Sequence, residues 1–130
     1  MKKKTIYFIL FILYLSAVLK LTIFRTGFYH DERQMNLHLF VNYKNMEIGQ
    51  FIWLFFGNIG WFIPFGLLLP VLLKRKSFGR VVVSGFLFSL IIESLQFFFR
   101  KGVAELDDLI LNTLGVVIGY FLYKWLKKSF

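Results

Sequence analysis

The sequence predicts an all-α fold, an integral membrane bundle of four transmembrane helices with a longer loop between helices 1 and 2. Three observations predict it. Hydrophobic residues make up 58% of the 130 residues, and 18 residues are Phe. A soluble domain averages about half apolar. The excess is gathered into four long runs, and most Lys and Arg residues stand at the ends of those runs.

A spanning helix needs about 20 mostly apolar residues. The first run, residues 5–24, is interrupted only by Lys20, which can snorkel to the interface. It follows Met1-Lys2-Lys3-Lys4, as a secretory leader would. It is long for a leader, and no small-x-small cleavage site follows, so it reads as a retained span. The second run, residues 50–73, carries Asn58, Pro64 and Pro70. Pro64 removes a helical hydrogen bond and is expected to kink the span. The third run is residues 80–99, and the fourth is residues 106–125 with Asn112 inside it. One domain, residues 1–130, holds all four.

Orientation follows from the basic residues of the short loops. With the N-terminus inside, ten Lys and Arg residues fall on the cytoplasmic side: Lys2, Lys3, Lys4, Lys74, Arg75, Lys76, Arg80, Lys124, Lys127 and Lys128. Five fall outside: Arg25, Arg33, Lys44, Arg100 and Lys101. Both termini are therefore expected in the cytoplasm, with the loop of residues 25–49 external. That loop is polar and is neither a linker nor of low complexity; it is long enough to fold back across the bundle as a lid.

The net charge of +9 would suggest nucleic acid in a soluble protein. Here the basic residues flank apolar runs, where they set topology and meet anionic headgroups, so the lipid bilayer is the expected partner and nucleic acid is not. The absence of cysteine excludes disulfides and thiolate metal sites. The spacing of His30 and His38 matches no metal motif, and no nucleotide loop or Ser nucleophile motif is present. No metal and no cofactor are expected.

Polar groups inside a bilayer are costly without partners, so they carry the functional signal. On the third helix Glu93, Gln96 and Arg100 fall within a stripe about 60° wide. On the fourth, Asp108, Asn112, Gly115 and Gly119 share a narrow face. Glu93 lies roughly 9 Å below the outer end of its helix, Asn112 at a similar depth, and Asn58 roughly 12 Å down. Glu93, Gln96, Asn58 and Asn112 are therefore expected to meet at one level, with Asp108 and Arg100 above them at the mouth. Asn58, Gln96 and Asn112 singly also read as helix glue, at about 1 kcal/mol or less each. Glu93 does not, because a buried carboxyl needs a cation or a proton. Glu105, Asp107 and Asp108 form an acidic rim, of which Asp108 is aligned with the polar stripe. Gly115 and Gly119 let helices approach closely, and packing within the bundle is the preferred reading, with an oligomer seam as the alternative.

Three stretches together resemble the VanZ-like family. They are Arg33-Gln34-Met35-Asn36-Leu37, then Asn58-Ile59-Gly60-Trp61-Phe62-Ile63-Pro64-Phe65-Gly66-Leu67-Leu68-Leu69, and then Glu93-Ser94-Leu95-Gln96 followed by Asp108 to Gly115 and Gly119. Two places depart from the family pattern. His38-Leu39-Phe40 stands where many members have Pro-Phe, and Arg100-Lys101-Gly102-Val103 stands where many have a Gly-Arg step. The resemblance implies a small helical membrane protein tied to glycopeptide resistance, since the family's founder lowers susceptibility to teicoplanin. It adds Asn36 to the candidate ligand-binding residues, and Gly66 joins Pro64, Gly115 and Gly119 as candidates for helix packing.

Three functions remain open on the sequence. The first is a non-enzymatic envelope protein binding a lipoglycopeptide, a lipid-linked wall precursor or a lipid headgroup. There Arg33 and Arg100 would hold anionic groups, and Asn58, Gln96 and Asn112 would orient polar ones. The second is a membrane-embedded enzyme acting on an envelope lipid or wall precursor, with Glu93 and Asp108 as catalytic carboxyls. The third is a structural or regulatory membrane subunit, including a homo-oligomer.

Overall fold

The computed structural model describes residues 2–23, 31–40 and 43–129. Those residues form four helices, each long and apolar enough to cross a membrane. They are α1 (Lys3–Thr22), α2 (Ile48–Leu72), α3 (Phe78–Phe98) and α4 (Leu106–Ser129). Each begins within about two residues of the expected start. α4 continues past residue 125 because Lys124, Lys127 and Lys128 end the apolar run without breaking a helix. α2 runs through both Pro64 and Pro70 without interruption.

Local chemistry sets the helix ends. The Ser77 hydroxyl accepts the Arg80 N–H at 3.2 Å and caps α3. Asp107 and Asp108 occupy the first turn of α4, and Lys127 and Lys128 its last, the arrangement that suits the helix dipole.

Side-chain pairs fix how the helices run. Phe11 packs on Phe65, and the Tyr14 hydroxyl donates to the Trp61 carbonyl at 2.7 Å, so α1 is antiparallel to α2. That carbonyl is one residue past Gly60, whose carbonyl lost its helical donor to Pro64. Gly85 meets Val116 and Ser89 meets Asn112, so α3 is antiparallel to α4. α2 and α4 run parallel and in closest contact, with Gly115 against the Ile59 carbonyl, Gly119 against the Ile63 carbonyl and Gly66 against the Val116 carbonyl. A Cβ at any of these three glycines would collide with backbone. Lipid tails are as apolar as leucine, so association of spans depends on such close approach. The Gly115/Gly119 face is therefore occupied inside the chain, and the oligomer-seam reading of it is corrected.

Phe11, Phe62, Phe65, Val81, Val116 and Tyr120 form the main core, with Val18, Ile23 and Ile92 in a second cluster nearer the loop end. Large apolar side chains such as Trp53, Phe56, Ile91 and Phe121 cover the outside, as contact with lipid demands.

Two short strands were not expected. β1 (Gln34–Asn36) pairs in parallel with β2 (Val103–Glu105), placing Gln34 opposite Val103, Met35 opposite Ala104 and Asn36 opposite Glu105. The strand pair fastens the described part of the α1–α2 loop to the α3–α4 connection. The junctions α1–α2 and α3–α4 thus share one end of the bundle, called here the loop end. The start of α1, the α2–α3 turn and the end of α4 share the opposite end.

Candidate functional site

The polar residues of the spans gather at the loop end. Glu93, on the last turns of α3, is 7% exposed, and its Oε2 accepts the Glu105 N–H at 3.1 Å. The donor is the backbone of β2, a partner that no local pattern reveals. Asp108, in the first turn of α4, accepts the Asn58 Nδ2–H at 2.9 Å, and its side chain also meets that of Glu105. Asn58 on α2, Glu93 on α3 and Asp108 on α4 are so linked around Glu105.

The expected single level is corrected to two layers. Asn112 does not join Asn58. It faces α3, and its Nδ2–H donates to the Ser89 hydroxyl at 2.9 Å in a buried pair. Ser89 stands one helical turn below Glu93, and Asn112 one turn below Asp108, or about 6 Å. Depth alone does not select a partner; direction around the helix does. Ser89 was missed although it lies four residues before Glu93 on the same face. Gly85 continues that face, so α3 presents a stripe of small and polar groups to α4.

Asp107 is a second correction. Read as part of an acidic rim at the mouth, it is 2% exposed. Both carboxyl oxygens accept the Phe40 N–H, at 2.8 and 3.0 Å. Phe40 has φ 53°, in the left-handed region that a bulky residue rarely adopts. Asp107 therefore clamps a strained turn of the loop onto the top of α4.

The remaining candidates shape the lid. Asn36 Oδ1 accepts the His38 N–H at 3.0 Å and closes the turn after β1. The Arg100 guanidinium donates to the Asp31 carbonyl at 3.0 Å, so it ties the loop to the end of α3. Arg100 is itself at φ 54°. Gln96 lies against Gly102, where there is no side chain to displace it. Arg33 is exposed beside β1. Arg25 and His30 lie outside the described residues. Among the described residues no group of three or more His, Cys, Asp or Glu is placed to hold a metal ion.

Tyr43 is a functional candidate that sequence reasoning passed over. Its ring meets Phe51 at 5.3 Å and Phe55 at 6.3 Å. Burial, with the Asp108, Asp107 and Glu105 carboxyls behind it, pushes its hydroxyl up to about 12. It is therefore a neutral hydrogen-bond donor over an acidic mouth at any physiological pH.

Beside the polar layer lies an apolar groove of about 280 Å³. Leu90 and Leu109 form its sides, Met35 and Leu37 its roof, and Glu93 and Glu105 lie in its wall. Pockets for small molecules run from about 300 to 1,000 Å³, so this one has room for a single chain or ring system. Carboxyl and apolar surface meet there within the span.

The sequence model described as VanZ/LLP1 matches residues 11–127. The chain is 32% identical over 120 residues to Protein VanZ of Enterococcus faecium, covering 85% of this chain and 69% of that protein. No solved structure matches the chain.

Proposed function

The chain belongs to the VanZ-like family, and from that premise we propose that it is an envelope protein binding a lipid-linked or lipoglycopeptide ligand at its loop end. The loop end faces the outer leaflet of a bacterial cell membrane in this reading, with both termini cytoplasmic. The observation that carries it is the junction of the carboxyl and carboxamide layer with the apolar groove. Glu93 belongs to both. A ligand with an apolar chain and a polar head matches such a junction, the chain in the groove and the head against Asn58, Asp108 and Tyr43. Arg33, exposed beside β1, supports contact with anionic groups of the same ligand.

Teicoplanin is the probe that the family resemblance offers. Wild type and Glu93→Gln would be produced at equal membrane levels in a susceptible Gram-positive host without its own homologue. Wild type is expected to raise the inhibitory concentration of teicoplanin selectively over vancomycin, and Glu93→Gln to remove most of that protection. Equal protection by the variant would overturn the site. No protection by either would overturn the resistance reading for this chain.

The orientation has its own test, helped by the absence of native cysteine. Asn45→Cys, in the exposed turn before α2, is expected to react with a membrane-impermeant maleimide in intact cells. Arg75→Cys, in the α2–α3 turn, is expected to react only after lysis. The reverse pattern would turn the site to the cytoplasm.

A second reading is supported by the meeting of Glu93 and Asp108 around Glu105. Two carboxyls joined through one residue, Glu93 to its backbone N–H and Asp108 to its side chain, are the parts of a general acid–base pair. A lipid or wall precursor whose chemical form changes only with Glu93 intact would favour an enzyme over a binding protein.

A further inference from the structure

The opposite end of the bundle holds a second groove, of about 460 Å³. It opens between α1 and α4 over α2. Leu67, Leu68, Val71 and Leu126 form its apolar walls, and Tyr7, Tyr123 and Lys127 line it as well. Both tyrosines are two-part groups, an apolar ring with a polar tip, of the kind that settles at a membrane–water interface.

One lysine lines the groove, and two more, from two other elements, neighbour its tyrosines. Lys127 lines the groove itself. Lys76, from the α2–α3 turn, places its Nζ 6.0 Å from the centre of the Tyr123 ring. Lys3 stands one turn before Tyr7 on the same face of α1. Among the described residues no acidic side chain belongs to this end of the bundle. The chain has seven acidic residues, and all belong to the loop end or its approaches: Asp31, Glu32, Glu47, Glu93, Glu105, Asp107 and Asp108. The acidic side chains are thus confined to the loop end, whereas basic side chains stand at both ends and are more numerous at this one.

We propose that this groove is a binding site for an anionic phospholipid, with one acyl chain lying against Leu68, Val71 and Leu126 and the headgroup phosphate held by Lys3, Lys76 and Lys127. The volume admits one chain; the second stays in the surrounding bilayer. Basic pockets between spans select anionic headgroups in this manner. The lipid fills the wedge between α1 and α4, helices that the rest of the fold leaves weakly joined. The site is independent of the loop-end site and of which way the protein faces.

The test is lipid retention by native mass spectrometry of the purified protein, with phosphatidylglycerol and phosphatidylcholine of identical acyl chains as probes. Phosphatidylglycerol is expected to stay bound under activation that strips phosphatidylcholine. Lys76→Gln with Lys127→Gln is expected to cut that preference by roughly fivefold per lysine. Leu126→Trp, which fills the groove and leaves every charge, is expected to lower retention of phosphatidylglycerol as well. Lys44→Gln, at the loop end, is expected to leave it unchanged. Equal retention of both lipids by wild type would overturn the site. So would loss on removing the lysines with none on filling the groove, because that marks diffuse surface attraction. Loss in Lys44→Gln equal to that of the other lysines would also overturn it.

Discussion

Gly119→Val is expected to leave almost no folded protein in the membrane. The Cβ it adds falls on the Ile63 carbonyl, with the Leu67 N–H and the Gly66 Cα behind it. All three are backbone, so no rotamer change relieves the clash, and α2 and α4 must separate. Ordinary overpacking of a core costs about 1–3 kcal/mol, and backbone against backbone belongs at or beyond the upper end of that range. The loss spreads further, because the same contact holds Gly66 and Gly115 in register and brings Asn58 to Asp108. Gly60→Val is the matched control. A Cβ at Gly60 meets nothing within 4 Å, so that variant is expected to fold as wild type does. Thermal melting followed by size-exclusion chromatography in detergent separates the two. A Gly119→Val protein that melts with wild type would show that the α2–α4 contact is looser than described.

Asp107→Ala is expected to have the opposite character, a normal bundle with an open lid. The carboxyl satisfies the N–H of a residue in a strained turn, from a site 2% exposed. A hydrogen bond to such a group contributes about 1.5–3 kcal/mol, and leaving its partner unpaired adds to the loss. Phe40 would then be free to leave the left-handed region, and β1 would be held by its pairing with β2 without the clamp behind it. Hydrogen exchange is expected to quicken by roughly tenfold to a hundredfold across residues 34–40, with the centres of α2 and α4 unchanged. The same variant should lose protection against teicoplanin as Glu93→Gln does, because Met35 and Leu37 roof the groove. Fast exchange throughout the helices would place Asp107 in the stability of the bundle. Unchanged exchange at residues 34–40 would remove it from the lid.

The spans were legible because each is a run of apolar residues bounded by charge. The parallel strands were not. Three residues are too few to show alternation, and Val103-Ala104-Glu105 reads as the lead into α4. Their pairing is decided by a partner far back in the chain, a relation that no local pattern carries. Glu93, Asn58, Asp108 and Asn112 stood out because polar groups are rare at that depth. Their partners did not stand out. Glu105 acts through its backbone, which every residue possesses, and Ser89 is common in a helix. Asp107 was hidden by its neighbour, since helical phase favoured Asp108 and gave no account of a residue turned toward the loop.

The pairing of Gln34–Asn36 with Val103–Glu105 also sets an order on biogenesis. The chain is made from its N-terminus, so β1 leaves the ribosome long before β2 exists. During that interval α2 and α3 must enter the bilayer while the loop has no strand to join and no Asp107 to hold Phe40. Contacts of such sequence separation form late. The nascent protein therefore carries an open, unprotected loop until its last helix is threaded. An arrest or truncation before α4 would strand it in that state, visible to the proteases that patrol the membrane surface.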